Sequence, residues 1–211
     1  MSAASAQTPG ARRRLPPEER RAQLLAIAID VFAARGLGAA RHAEIAERAG
    51  VAVSTVFVYF PTREDLVNDV LAAVAGFFLE RLERAHSQER PCADTLREIN
   101  QGFLELLETH RSHVLVWLEW GSAVRQDVWP AYRAFTERAV ALTRRTLERG
   151  RREGSVAPDA DCESLARLFA STSQSIARLQ LGDVDPDTVR RFQDTLLRAV
   201  LVEEAVAGAR G

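Results

Sequence analysis

Residues 42–66 read HAEIAERAGVAVSTVFVYFPTREDL, and the reading of this stretch decides the fold. Ile45, Ala46 and Ala49 fall on one face of a short amphipathic helix, Gly50 supplies a turn, and Val51, Val56 and Phe60 give a second helix its inward stripe. Thr55 and Tyr59 are then left pointing outward. Two short helices joined at a glycine form a helix-turn-helix, whose second helix enters the major groove of double-stranded DNA. In that geometry Val53, Ser54, Thr55 and Val58 reach the base edges. Only the two hydroxyl residues can hydrogen-bond, and a valine reads little except a thymine methyl, so discrimination per half-site is expected to be modest. Tyr59 suits a phosphate contact, as does Arg63 with the open amides at the start of the next helix.

Working outward toward the N-terminus, a first helix is expected over 17–35, with Leu25, Ala28, Ile29 and Phe32 on one face and Gly36 ending it. Ahead of it, residues 1–16 read as a disordered basic arm carrying Arg12, Arg13 and Arg14. Arginine suits the narrow, electronegative minor groove of A·T-rich DNA, although an arginine triplet is also what a solvated tail looks like.

Toward the C-terminus helical periodicity dominates and alternating strand patterns are absent, which gives an all-α chain of about nine helices. After the break at Pro61 and Thr62, a long helix over 63–85 links the reader, residues 17–66, to the body, residues 67–211. Further helices are expected at 92–109, 112–125, 129–153, 160–181 and 186–205.

The bulk numbers agree. With 211 residues, 46% hydrophobic and 27% charged, the chain can bury an ordinary core. All 28 basic residues are arginine, and the net charge of -1 hides an asymmetry. Residues 1–66 carry nine arginines against seven acids, whereas the body carries 19 against 22, which places polyanion binding at the N-terminal end. No apolar stretch of signal-peptide length opens the chain, and the longest apolar run, residues 70–79, is too short to span a bilayer, so a cytoplasmic protein without a membrane partner is expected. Cys92 and Cys162 are far apart and flanked by polar residues, the pattern of free thiols.

The motif residues resemble the TetR family of one-component transcription regulators. Ile45-Ala46, Ala49-Gly50-Val51, Thr55, Tyr59-Phe60 and Arg63-Glu64-Asp65-Leu66 match the family's DNA-binding signature. Residues 55–67, TVFVYFPTREDLV, together with VWLEW at 116–120 and RQDVWP at 125–130, are similar to the HapR/LuxR-type (SmcR-like) quorum-sensing master regulators within that family. The likeness covers nearly the whole chain and is diffuse between the motifs. Two positions depart from the family pattern: Arg41 stands where threonine is usual and Ala52 where serine is usual, so the caps of both reader helices are altered, and Arg41 is a candidate charged DNA contact. Val58 stands where the subgroup often has a polar residue.

The resemblance implies a regulator that represses or activates on pseudo-palindromic operators as a homodimer, or, alternatively, a local repressor of an efflux or catabolic gene relieved by a small apolar ligand. It implies a four-helix dimer interface from the last two helices, whose stripes are Leu165, Leu168, Thr172, Ile176 and Leu179, then Val189, Phe192, Leu196 and Val200. Some of these must also close the core. It implies an effector cavity in the body, and Phe78, Leu82, Phe103, Trp117, Trp120, Tyr132, Val140 and Phe169 fall where its lining would lie, with Thr136 and Ser173 as polar anchors. Aromatics at helical spacing serve equally well as plain core. If a ligand binds, the helix over 63–85 is the expected link to the reader.

An enzyme is the rival reading. His110 and His113 lie near Glu105, Glu108 and Glu119 in sequence, but HExxH and the paired inward Glu-x-x-His repeats of a bundle metal site are missing, as is any glycine-rich phosphate loop. No cofactor, metal or catalytic residue is expected.

Overall fold

A computed structural model of the chain describes residues 15–87, 89–124 and 127–202. Among the described residues there are nine helices and no strand: α1 Pro17–Arg35, α2 His42–Ala49, α3 Val53–Tyr59, α4 Arg63–Ser87, α5 Cys92–Thr109, α6 Arg111–Trp120, α7 Trp129–Glu153, α8 Cys162–Leu181 and α9 Pro186–Val200. Prolines open α1, α7 and α9, where the missing N–H is not needed. Asp161 caps α8 by accepting from the amides of Glu163 and Ser164, and Asp185 caps α9 through Thr188. Gly50, at φ 63°, makes the left-handed corner between α2 and α3 that a side chain would strain.

Most boundaries fall where periodicity puts them, and the exceptions have local causes. Helix α6 stops at Trp120 rather than running to 125: the chain tightens through Ser122 N–H to Glu119 and Ala123 N–H to Trp120, and the Trp120 indole then donates to the Val128 carbonyl at 3.0 Å. Helix α8 starts at Cys162, not 160, because Asp161 is its cap. Helix α9 stops at Val200, where Leu201 turns extended and the Val202 amide reaches the Ser155 carbonyl. Helix α3 stops one residue short of Phe60, whose ring is fully buried.

Two hydrophobic cores result. The first joins the reader to the body: Leu24, Phe32, Ile45, Val56 and Phe60 are continuous with Leu66, Val70 and Val74 of α4, Trp117 and Trp120 of α6, and Phe135 of α7. On α1 the inward face is led by Leu24 and Val31, with Leu25 only half-buried. The second gathers Cys92, Leu96, Leu147, Phe169, Ile176, Leu196 and Val200 from α5 and α7 to α9. Phe103 of α5 packs against both.

Candidate nucleic-acid interface and interior cavity

Helix α3 is held by its inner face and by its C-terminal end. Val56 and Phe60 are fully buried, while Val58 is 75% exposed, Phe57 46% and Val53 41%. Ser54 is exposed; Thr55 and Tyr59 are half-buried. The exposed Phe57 is fixed, because its ring stacks on His42 with centroids 4.2 Å apart and planes 6° from parallel. His42 Nε2 is in turn 2.9 Å from the Phe60 carbonyl, so the first residue of α2 holds the end of α3. The outward surface is therefore mostly methyl groups and one pinned ring, with the Ser54 and Thr55 hydroxyls among them, a surface matched to thymine methyls and short polar contacts. Sequence reading left Phe57 out; the His42 spacing to it becomes visible only once α2 and α3 cross.

Arg41 and Ala52 are the N-cap residues of α2 and α3, and neither helix has a side-chain cap. Arg41 is exposed beside a shallow depression it shares with Arg35, Arg48, Glu44 and Glu47, where Glu44 pairs with both Arg35 and Arg48. Arg63 is committed elsewhere: its guanidinium donates to the carbonyls of Leu37 and Gly38, tying the start of α4 to the loop after α1. The amide end of α4 is also partly taken, since Thr62 and Asp65 hydrogen-bond reciprocally as a capping box. Arg12, Arg13 and Arg14 lie outside the described residues.

Between the two cores the body holds a partly open cavity of about 650 Å³. Phe78, Leu82, Phe103, Trp117, Tyr132, Thr136, Phe169 and Ser173 line it, as does Phe135. Trp120 and Val140 do not: Trp120 is sealed in the first core with its indole N–H used by Val128, and Val140 is in the second. The polar lining that sequence missed comprises Thr109, Thr143, Ser171 and Gln174, and the Gln174 amide donates to the Tyr132 hydroxyl at 2.5 Å. The signal for Gln174 was its place beside Ser173, on a helix otherwise read as a dimer stripe. Burial pushes the Tyr132 hydroxyl pKa upward, keeping it a neutral donor and acceptor. The Trp117 indole N–H is buried without a hydrogen-bond partner. The charged groups Arg81, Arg84, Glu98 and Glu105 are also part of the lining, as is His110.

The stripes on α8 and α9 separate into two sets. Ile176, Val189, Leu196 and Val200 are buried within the second core of the single chain and have no surface to offer a partner. Leu168 and Phe192 remain 46% and 36% exposed, and Leu165, Thr172 and Leu179 are half-buried. Helical periodicity marks both sets as apolar; which helix covers which face is set by packing across the bundle.

Among the described residues no group of three metal-ligating side chains comes together. One Glu-x-x-His does occur, Glu83 and His86, but Glu83 pairs with Arg138 and His86 Nδ1 lies 2.8 Å from the Thr146 hydroxyl. His110 and His113 pack on the Phe77 ring instead. Cys92 and Cys162 are buried free thiols, and no helix among the described residues is long and apolar enough to cross a membrane.

Residues 24–70 match the family model for bacterial regulatory proteins of the tetR family. The chain is 37% identical over 165 residues, 78% of its length and 80% of the relative's, to the HTH-type transcriptional regulator LuxR of Vibrio harveyi. It is 24% identical over 157 residues, 73% of its length and 78% of the relative's, to the HTH-type transcriptional repressor KstR2 of Mycobacterium tuberculosis. Among solved structures, a TetR-family regulator from Agrobacterium tumefaciens superposes with a TM-score of 0.79 at 15% identity, covering 88% of this chain and 100% of that one. The TetR-family regulator CifR, solved with 26-bp double-strand operator DNA, superposes with a TM-score of 0.72 at 21% identity, over 90% and 100% of the two chains. At these identities the structural likeness speaks for the fold.

Proposed function

Because this chain belongs to the tetR family of bacterial regulatory proteins and is a DNA-binding transcription regulator, we propose that it works as a homodimer on pseudo-palindromic operators, as a quorum-sensing-type global regulator that represses or activates. Residues 17–66 form the reader in this proposal and 67–211 the dimerisation and effector body. Val53, Ser54, Thr55 and Val58 touch base edges; Arg41, Tyr59 and the arm arginines Arg12, Arg13 and Arg14 bind phosphates and minor groove. Arg63 acts mainly by holding the loop after α1, its side chain being spent on Leu37 and Gly38. The protein acts by binding rather than by catalysis, in the cytoplasm where its operators are.

The observation that carries the reading is helix α3, which projects Val58 and Val53 into solvent from an inner face that is fully buried, on a chain 37% identical to a helix-turn-helix regulator. Selection of duplexes from a random pool, followed by titration against competitor DNA, tests it: a two-fold symmetric consensus bound by two protomers is expected, and no preference over random competitor overturns it. Two protomers meet, on this proposal, through the face of Leu168 and Phe192 with Leu165, Thr172 and Leu179.

The cavity supports the second reading, a local repressor relieved by a ligand. Its aromatic wall and neutral Tyr132 and Gln174 pair suit a largely apolar molecule with one uncharged polar group. Mapping the bound sites genome-wide separates the two: many scattered targets support the global regulator, and one adjacent site supports the local repressor.

A further inference from the structure

The loop that ends α1 is clamped from both sides by groups outside the three reader helices. Glu119 Oε1 of α6 accepts the Leu37 amide at 2.8 Å, while Arg63 at the start of α4 donates to the Leu37 carbonyl. The backbone N–H and C=O of one residue of the reader, which belong to two successive peptides, are thereby both held by side chains. Gly36 makes the approach possible. Its φ is +83°, and a Cβ there would stand 2.9 Å from Glu119 Oε1 and 3.2 Å from Oε2, so the carboxylate occupies the space a side chain would take.

Glu119 sits on a helix whose opposite face borders the cavity. Trp117 and Gly121, one turn apart, line the cavity, and Glu119 lies between them in sequence, about half a turn around the helix from each. Helix α6 packs directly on α1 as well as on α4 and α5. It is ten residues long and without an internal glycine or proline, so no hinge separates its cavity face from Glu119.

We propose that Glu119 is a positioning residue that transmits displacement of the cavity wall through α6 to the Leu37 peptide, and so sets the angle of the reader. This rests on the reading of the cavity as an effector site, and adds to the expected route through α4 a second route that bypasses it. The bond is charge-assisted and single, and a shift of α6 by about an ångström is enough to lengthen it beyond hydrogen-bonding range.

The test needs no identified ligand, because the cavity can be filled from within. Gly102 of α5 lines the cavity and a Cβ there meets nothing within 4 Å, so Gly102→Phe places a ring in the open space. Operator Kd, measured by fluorescence anisotropy on a duplex selected by the unmodified chain, is expected to change by about fivefold or more in Gly102→Phe. In a Glu119→Ala background the same substitution is expected to change Kd by less than about twofold, the limit for uncoupled sites. Glu119→Gln, which keeps a carbonyl oxygen for the Leu37 amide, retains most of the effect. Equal changes in all three backgrounds, or no change in the unmodified one, overturn the proposal. Hydrogen exchange of the Leu37 amide in Gly102→Phe gives a readout with Glu119 intact: altered exchange at Leu37, with Phe32 unchanged, supports the route and unaltered exchange overturns it. A chain that selects no duplex at all overturns the DNA reading instead, and the exchange experiment still decides the fate of the clamp.

Discussion

The two cores differ in what they join. The first crosses from reader to body, with Phe60 of the reader and Trp120 and Phe135 of the body in one contiguous cluster, whereas the second is confined to α5 and α7 to α9. The division proposed at residue 66 is therefore not a division in packing. Helices α4 and α6 pack on α1 of the reader, and the cavity is lined from both cores, with Phe103 touching each. Close-packed cores shift as units rather than deform, so a molecule bound in the cavity, on the proposed effector reading, would act most directly on the spacing between them.

The sharpest way to break this comparison is at Trp120. Trp120→Ala removes a ring that is 1% exposed and its hydrogen bond to Val128, and is expected to cost about 3–5 kcal/mol in urea unfolding. Because the core is shared, reader and body are expected to lose structure in one transition; a reader that melts by itself would separate what we describe as joined.

In the second core the contrast lies within the α8 and α9 pair. Ile176→Ala is expected to cost about 2–5 kcal/mol in protomer stability, since the side chain is 1% exposed. Leu168→Ala and Phe192→Ala are expected to leave helix content unchanged and to weaken self-association in sedimentation measurements. If Ile176→Ala dissociates the dimer without destabilising the protomer, the separation into core and interface sets is wrong.

His86 pins α4 to α7, its Nδ1 lying 2.8 Å from the Thr146 hydroxyl. Burial, with Arg149 nearby, lowers its pKa to about 4 from the ordinary 6.5. An unfolded chain takes up a proton in that interval which the folded protein refuses, so stability falls as pH drops from 6.5 toward 4 and is unaffected by this group above 6.5. Urea titrations across that range are expected to show a steeper decline in the parent chain than in His86→Gln; parallel curves would remove the pin from the account.

The smallest effect is expected at the surface. Val58→Ala changes a side chain that is 75% exposed, so stability is expected to hold within about 0.5 kcal/mol. On the proposed reading of Val58 as a base-edge contact, operator affinity is expected to fall by about 1 kcal/mol, because two methyl groups are removed from that side chain. Unchanged affinity would move the reading surface away from this part of α3.

Legibility in the sequence followed the range of the interaction. The reader helices were readable because their signals are local: three- and four-residue spacing, a glycine corner, a proline break. Thr62 and Asp65 cap α4 within a single turn, at the break the sequence marks. The boundary of α6 was misplaced because its end depends on the Trp120 indole finding Val128, a contact made only after the chain has turned. Gln174 was passed over because its partner, Tyr132, is 42 residues away.

Residue order alone determined that the chain is all-α, that a glycine-cornered helix pair carries the DNA-reading face, and that the last two helices are apolar on one side, because helical periodicity is written at a spacing of three and four residues. Tertiary structure decided which of those apolar residues are sealed, which aromatics face a cavity, that Arg63 is spent on the loop after α1, and that Glu119 reaches Leu37 across 82 residues of chain. A helix has several faces that read alike in sequence, and only the neighbours that cover some of them fix what the remainder is free to touch.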